Sequence, residues 1–199
     1  MVRPFKVKQD VSGPSPFLGV KLKINANTLL FIGAAFLLPQ SVFAIDSASL
    51  EFATGNKTQM LRVGAQWNWE SQWFKLDGMH IGGYWDASLA QWRGTNFQQT
   101  GGTQNLTDIG FTPVFRLQND NKKGLYSEIG IGAHLLSGIY DNNGRHFSTN
   151  FQFGDHIGIG YVMSNGLDVS LKIQHFSNGG IKHPNSGVEF GVIKVGYAF

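Results

Sequence analysis

The sequence predicts an all-β protein, an eight-stranded antiparallel transmembrane β-barrel. Three observations carry that expectation. Apolar and polar residues alternate with a period of two between clusters of Gly, Asn, Asp and Ser; no helical pattern of any length interrupts them; and the alternation starts only after a basic and then apolar leader. Composition narrows the field from the other side. The 199 residues include 26 Gly, 16 Phe and no Cys, which removes collagen, coiled coil, zinc finger and disulfide scaffold. With 42% hydrophobic and 13% aromatic residues the chain can build a packed body, so wholesale disorder is not expected and one domain is the prior.

The leader comes first. Residues 1–44 hold Arg3, Lys6, Lys8, Lys21 and Lys23 against Asp10, a net of +4, which leaves −1 of the chain's +3 for residues 45–199. The body is thus near neutral, and a nucleic-acid surface has no support. Behind Lys23 lies the apolar run Leu29 to Leu38, then Ser41-Val42-Phe43-Ala44. Small residues at Val42 and Ala44 fit cleavage before Ile45, and about ten apolar residues are too few to cross a bilayer comfortably as a helix. Residues 1–44 therefore read as a signal peptide cleaved after Ala44, with an uncleaved anchor as the alternative, and residues 45–199 as the barrel domain.

Eight strands are expected, near 47–54, 59–70, 77–92, 106–118, 124–135, 148–163, 166–177 and 187–199. Four of them show the rule plainly. Leu61, Val63, Ala65, Trp67 and Trp69 oppose Arg62, Gly64, Gln66 and Asn68; Leu125, Ile129, Ile131, Ala133 and Leu135 oppose Tyr126, Glu128, Gly130, Gly132 and His134. Leu167, Val169, Leu171 and Ile173 oppose Asp168, Ser170, Lys172 and Gln174, and Ile193, Val195, Tyr197 and Phe199 oppose Lys194, Gly196 and Ala198. Alternation alone does not say which face meets water, so a secreted lipocalin-like barrel stays open at this point. Two features favour the membrane. Aromatics gather toward strand ends on the apolar face (Trp67, Trp69, Tyr161, Tyr197), and charges on the other face (Arg62, Asp86, Arg116, Glu128, Lys172, Lys194) can pair across a narrow lumen. The terminal Phe199 also resembles the assembly signal of bacterial outer-membrane proteins.

An even strand count puts both termini at one end, the periplasmic one. The outer connections are then roughly 54–58, 93–105, 136–147 and 178–186, and the inner turns 70–76, 119–123 and 164–165. The last outer connection holds the candidate chemistry. His175 and Ser177 are two apart on one strand, Glu189 belongs to the next, and by parity all three face lipid. Polar groups there are costly without partners. If 177 and 189 lie opposite, Glu189 is diagonal to His175 and within side-chain reach. A serine needs a base to take its proton, and an imidazole serves when a carboxylate fixes its tautomer. Spacing alone leaves a bland alternative, in which Ser177 starts a turn, His175 is an interfacial residue and Glu189 marks a strand's exit into solvent.

His175-Phe176-Ser177-Asn178, followed twelve residues after the serine by Glu189, resembles the C-terminal segment of the PagL family, the outer-membrane lipid A 3-O-deacylases of Gram-negative bacteria. The motif covers about the last 25 residues. The resemblance implies an eight-stranded barrel in the outer membrane that takes lipid A or lipopolysaccharide as substrate at the outer leaflet. It implies Ser177 as nucleophile, His175 as general base and later acid, and Glu189 as the residue orienting His175. It also implies Asn178 and the backbone N–H near Gly180 as the oxyanion hole, and Asn185 as a support of the loop. Other outer-membrane lipid esterases, such as a phospholipase, and a non-catalytic structural or adhesive barrel remain as alternatives, and a homodimer stays open.

No cofactor or metal is expected. His80, His134 and His156 fall on the lumen parity, and His146 and His183 fall in loops without metal-ligand spacing. The runs Gly130-Ile131-Gly132 and Gly158-Ile159-Gly160 place glycines inward, where they make room in a tight barrel. Lys122-Lys123 reads as an inner turn, and Lys182 with His183 as either a solvated loop or a contact for lipid A phosphates.

Overall fold

The computed structural model describes residues 44–199; the leader expected over 1–44 lies, apart from Ala44 itself, outside the described residues. The strands are β1 (Ser47–Gly55), β2 (Thr58–Asn68), β3 (Trp73–Leu76), β4 (Met79–Phe97), β5 (Gly102–Asn119), β6 (Gly124–Leu136), β7 (Asp141–Asn142), β8 (Arg145–His146), β9 (Phe151–Val162), β10 (Leu167–Ser177) and β11 (Val188–Ala198). All but the short β3, β7 and β8 form a ring. Each long strand pairs antiparallel with the next, β2 pairs with β4, and β1 pairs with β11 to close the circle. The eight-stranded antiparallel barrel is therefore the fold.

The side-chain pattern is that of a membrane barrel. Val63, Leu89, Ile109, Ile129, Ile159, Leu171 and Ile193 stand exposed on the outer wall, whereas Arg62, Asp86, Arg116, Glu128, Lys172 and Lys194 are buried inside. A wall of that kind suits hydrocarbon. Odd residues face outward from β2 onward, but β1 has the reverse parity, with Leu50 and Phe52 outside and Glu51 and Ala53 inside. The cause is the tight turn at Asn56 and Lys57, both with positive φ, which pairs Thr54 with Gln59 and so joins even to odd positions.

Three connections differ from expectation. The bare loop expected over 93–105 shrinks to 98–101, because β4 and β5 keep pairing through Arg93↔Asn105 and Gly94↔Gln104. Those residues are polar, so the ladder continues where the apolar signal has stopped. The connection over 136–147 carries the β7–β8 hairpin, and the inner connection over 70–76 carries β3, which lies beside β4.

The lumen is divided. Toward the end that carries the termini it holds an ionic network. Arg62 pairs with Glu51 at 2.7 Å and with Asp86, and Lys172 reaches the same Glu51 at 2.7 Å. Arg116 pairs with Glu128 at 2.8 Å and Asp168 at 3.2 Å, and Lys194 with Asp168 at 3.2 Å. The far half is filled mainly by an apolar plug built on Met60, Trp92, Tyr140, Phe147, Phe176 and Phe190, with the buried His134–Asp108 pair at 3.0 Å beside it. The polar lumen read from alternation is thus interrupted at the far end by an apolar plug. The reason is that Phe176, Phe190 and Trp92 sit on the inward parity, where a filled far end serves as well as a polar one.

Arg62 compensates two buried carboxylates, so Arg62→Met should lower stability by about 3–5 kcal/mol. Urea unfolding of the refolded barrel in detergent micelles, followed by heat-modifiable migration, would measure it; an unchanged midpoint would show that the network carries no such load.

Candidate active site

Alternation along the far end of β10 sets the site. Phe176 points into the plug with no exposed surface, its ring edge-on to Trp92 at 4.7 Å and to Phe190 at 5.9 Å. A residue held this firmly forces its neighbours outward. His175 and Ser177 therefore both lie on the wall, half-buried, at the strand's last turn before the loop.

Glu189 comes from β11. The ladder pairs it directly with His175, two residues away from the diagonal register expected, because β11 begins only at Val188. The consequence is a contact: His175 Nδ1 lies 3.2 Å from Glu189 Oε1. An ionised carboxylate can only accept, so Nδ1 carries the proton and donates it, which leaves Nε2 free to take another. The Ser177 hydroxyl makes no hydrogen bond to His175 in this arrangement. Apo active sites are often loose in this way and tighten with substrate.

Asn178 is the hub of the loop. It is fully buried; its N–H donates to Asn185 Oδ1 at 3.0 Å, and its Oδ1 accepts the Gly180 N–H at 2.9 Å. Its side-chain amide donates to Ser148 Oγ at 3.1 Å and to the Lys182 carbonyl at 2.7 Å. Both donors expected for an oxyanion are thus engaged internally, and one of these bonds has to open before either meets substrate. The loop is also tied to the connection before β9: Ser148 Oγ donates to the Lys182 carbonyl at 2.8 Å and Arg145 Nη1 to the Ser186 carbonyl at 2.6 Å.

Three residues escaped the sequence reading. Asp155 is paired in the ladder with His175 from the β9 side, so two carboxylates flank the imidazole, and only Glu189 is bonded to it. An acid at an outward position between Phe153 and Ile157 was a legible signal. Gly187 has a φ of +61°, and a Cβ there would stand 2.6 Å from His175 Cε1, so the glycine makes the space that the imidazole fills. Pro113 has no N–H to give. Between Phe111↔Ala133 and Val114↔Gly130 the β5–β6 pairing lapses, and at that place the wall is dented. The dent is a groove of about 430 Å³ lined by Pro113, Phe115, Ile131, Ile157 and Ile173, with His175 and Asp155 at one end.

The family model described as lipid A 3-O-deacylase (PagL) matches residues 59–198, from β2 to the end of β11. The chain belongs to the PagL family. Similar relatives include "Lipid A deacylase PagL" of Pseudomonas aeruginosa, 33% identical over 153 residues that make up 75% of this chain and 83% of the relative. A second "Lipid A deacylase PagL", from Bordetella bronchiseptica, is 38% identical over 87 residues, 44% of this chain and 47% of the relative. The crystal structure of the outer membrane enzyme PagL superposes with a TM-score of 0.65 at 26% identity, covering 77% of this chain and 99% of that one. The PagL match takes in the whole hairpin that carries His175, Ser177 and Glu189.

Gly187→Ala should lower hydrolytic turnover by about tenfold or more, since it displaces the imidazole expected to act as general base and a misplacement of about 1 Å can cost as much. Gly101→Ala is the control: its φ is equally left-handed at +80° but nothing lies within 4 Å. Equal turnover in the two variants would remove the packing argument.

Proposed function

We propose that this protein hydrolyses the ester-linked 3-hydroxyacyl chain at the 3-position of lipid A, in the outer leaflet of the outer membrane, through an acyl-enzyme on Ser177. The observation that carries the reading is the His175–Glu189 pair, which stands with Ser177 on the outward wall at the head of an apolar groove. A site on the wall accepts a lipid that diffuses in laterally, with its acyl chain along the groove and its sugar above the rim. The PagL relatives support the same substrate class. A leader over residues 1–44, cleaved after Ala44, would deliver the chain across the inner membrane.

The steps follow from the groups present. His175 Nε2 takes the Ser177 hydroxyl proton as Oγ attacks the ester carbonyl. Glu189 holds the Nδ1–H and stabilises the imidazolium that forms. The tetrahedral oxyanion needs donors, and Asn178 and Gly180 supply them once the loop releases one of its internal bonds. His175 then gives its proton to the departing sugar oxygen. A water repeats the sequence against the acyl-enzyme: His175 takes its proton, the carbonyl–Oγ bond breaks, and the hydroxy fatty acid leaves as Ser177 regains a proton.

Mass spectrometry of lipid A after incubation with the refolded barrel tests this. Wild type should remove one hydroxyacyl chain from the 3-position, and Ser177→Ala should remove none. Release by Ser177→Ala at the wild-type rate would refute the nucleophile, while release from glycerophospholipid but not from lipid A would make the protein a phospholipase.

Glu189→Gln should retain the fold and lose about 10²–10⁴-fold in turnover, because a neutral amide neither fixes the tautomer nor stabilises the imidazolium. The rate of fatty-acid release checks it. A loss smaller than about threefold would transfer the orienting role elsewhere, with Asp155 the next residue to test.

A further inference from the structure

The groove below His175 does not end at the residues that line it first. Pro113 and Phe115 also line a second, wider depression of about 690 Å³, whose other walls include Trp69, Trp73 and Trp85. Strand register shows where the joined trough leads. His175 pairs with Asp155, Asp155 with Ile131, and Pro113 with Trp85, while the bracketing pairs Phe111↔Ala133 and Val114↔Gly130 set Ile131 beside Pro113. This row starts two residues from the far end of β10 at Ser177, yet it meets β4 only six residues from that strand's opposite end at Met79. It therefore descends across the wall, from the loop rim toward the end that carries the termini.

An aromatic cluster closes the lower end, and it is built rigidly. The Trp69 backbone N–H donates to the Gly83 carbonyl at 2.9 Å, and the indole lies on Gly83, where a Cβ would come within 2.4 Å of Trp69 Cζ3. Trp69 is edge-on to Phe115 at 4.9 Å, to Trp85 at 5.5 Å and to Trp73 at 5.7 Å, and Trp85 stacks on Phe111 at 5.3 Å. A ring fixed by a backbone bond, a glycine seat and three aromatic neighbours does not swing aside. Three strand spacings of about 4.8 Å separate the strand of His175 from that of Phe115, roughly 14 Å of trough.

We propose that the cluster of Trp69, Phe115 and Trp85 is the floor of the acyl groove and sets the length of the chain removed, an inference that rests on the deacylase reading above. Inside a bilayer there is no hydrophobic drive into a groove, because lipid tails are as apolar as its walls. Selection there has to come from packing: methylenes that fit gain close contact with fixed walls, and those beyond the floor have to bend out into lipid. The floor acts as a penalty on over-long chains. Removing it lengthens the preferred substrate, and filling the trough nearer His175 shortens it.

The experiment presents an equimolar mixture of two lipid A species, with a ten-carbon or a fourteen-carbon 3-hydroxyacyl chain at the 3-position, to wild type, Trp69→Ala and Ile157→Trp. Mass spectrometry reads both residual lipid A and released acids. Trp69→Ala should move the ratio of products about tenfold toward the longer chain, within the range hydrophobic pockets reach for small changes in size. Ile157→Trp should move it the other way. Ile157 stands exposed on the wall, so that variant keeps the test decisive if Trp69→Ala does not fold. Release of both acids in a ratio that stays within twofold across the folded proteins overturns the gauge and leaves the deacylase reading standing. Release of neither acid by wild type overturns the deacylase reading and the gauge with it.

Discussion

A strand in hydrocarbon has nothing to bond to but another strand, so the sheet must close. Every other feature of this protein follows from that closure. With β2 joined to β4 and β1 to β11 no edge remains, and the side chains are sorted into two sets by parity alone. The outward set meets lipid and has to be apolar. The inward set fills a lumen too narrow for bulk water, and it has to satisfy itself. A polar residue on the outward set is then an exception that asks for a reason, and the wall around the end of β10 collects four: His175, Ser177, Glu189 and Asp155.

The division of the lumen explains why the site can be stiff where it stands. An ionic network holds by pairing, and its members keep their geometry only while each partner remains. An apolar plug holds by volume. Behind His175 and Ser177 the lumen is filled by Phe176, Trp92 and Phe190, which meet edge-on and leave Phe176 no room to turn. The wall is thus braced from inside by aromatic packing, with the buried His134–Asp108 pair set against Phe176. The loop that follows is braced differently. Its hydrogen bonds run from Asn178 to Asn185, Ser148 and Lys182, and such bonds exchange readily with those a substrate offers. The arrangement places rigidity under His175 and an exchangeable network around Asn178 and Gly180.

Most of the barrel could be read from the sequence because period-two alternation is a direct print of the wall. Leu167 to Ser177 shows the case: each outward residue is apolar until His175, and strand, face and site emerge together. The far ends of β4 and β5 were illegible for the converse reason. Beyond Trp92 the ladder leaves the apolar band, so Arg93 to Phe97 keep a strand's hydrogen bonds without its pattern. Register was illegible too. Nothing in the spacing says that ten residues of loop return at Val188 and so bring Glu189 level with His175 rather than with Ser177. Gly187 could be seen only once the imidazole that occupies its missing side chain had been placed.

Pro113 draws these strands together. In the middle of a central strand a proline ordinarily counts against the strand, because it removes a ladder hydrogen bond. Here β4 pairs with it normally at Trp85, and the break falls on the β6 side alone, beside Ile131. The wall stays closed, since flanking pairs continue on both sides of the gap. What changes is its surface, which dips where the ladder lapses. The dip lies midway between the imidazole at one end of the row and the tryptophans at the other, and its walls are shared by both depressions. One residue without an N–H thus costs the barrel a local bond and gives its smooth exterior a path for a chain. A barrel wall without such a break would present lipid with a face on which one tail is much like another, and no length of chain could be told from the next.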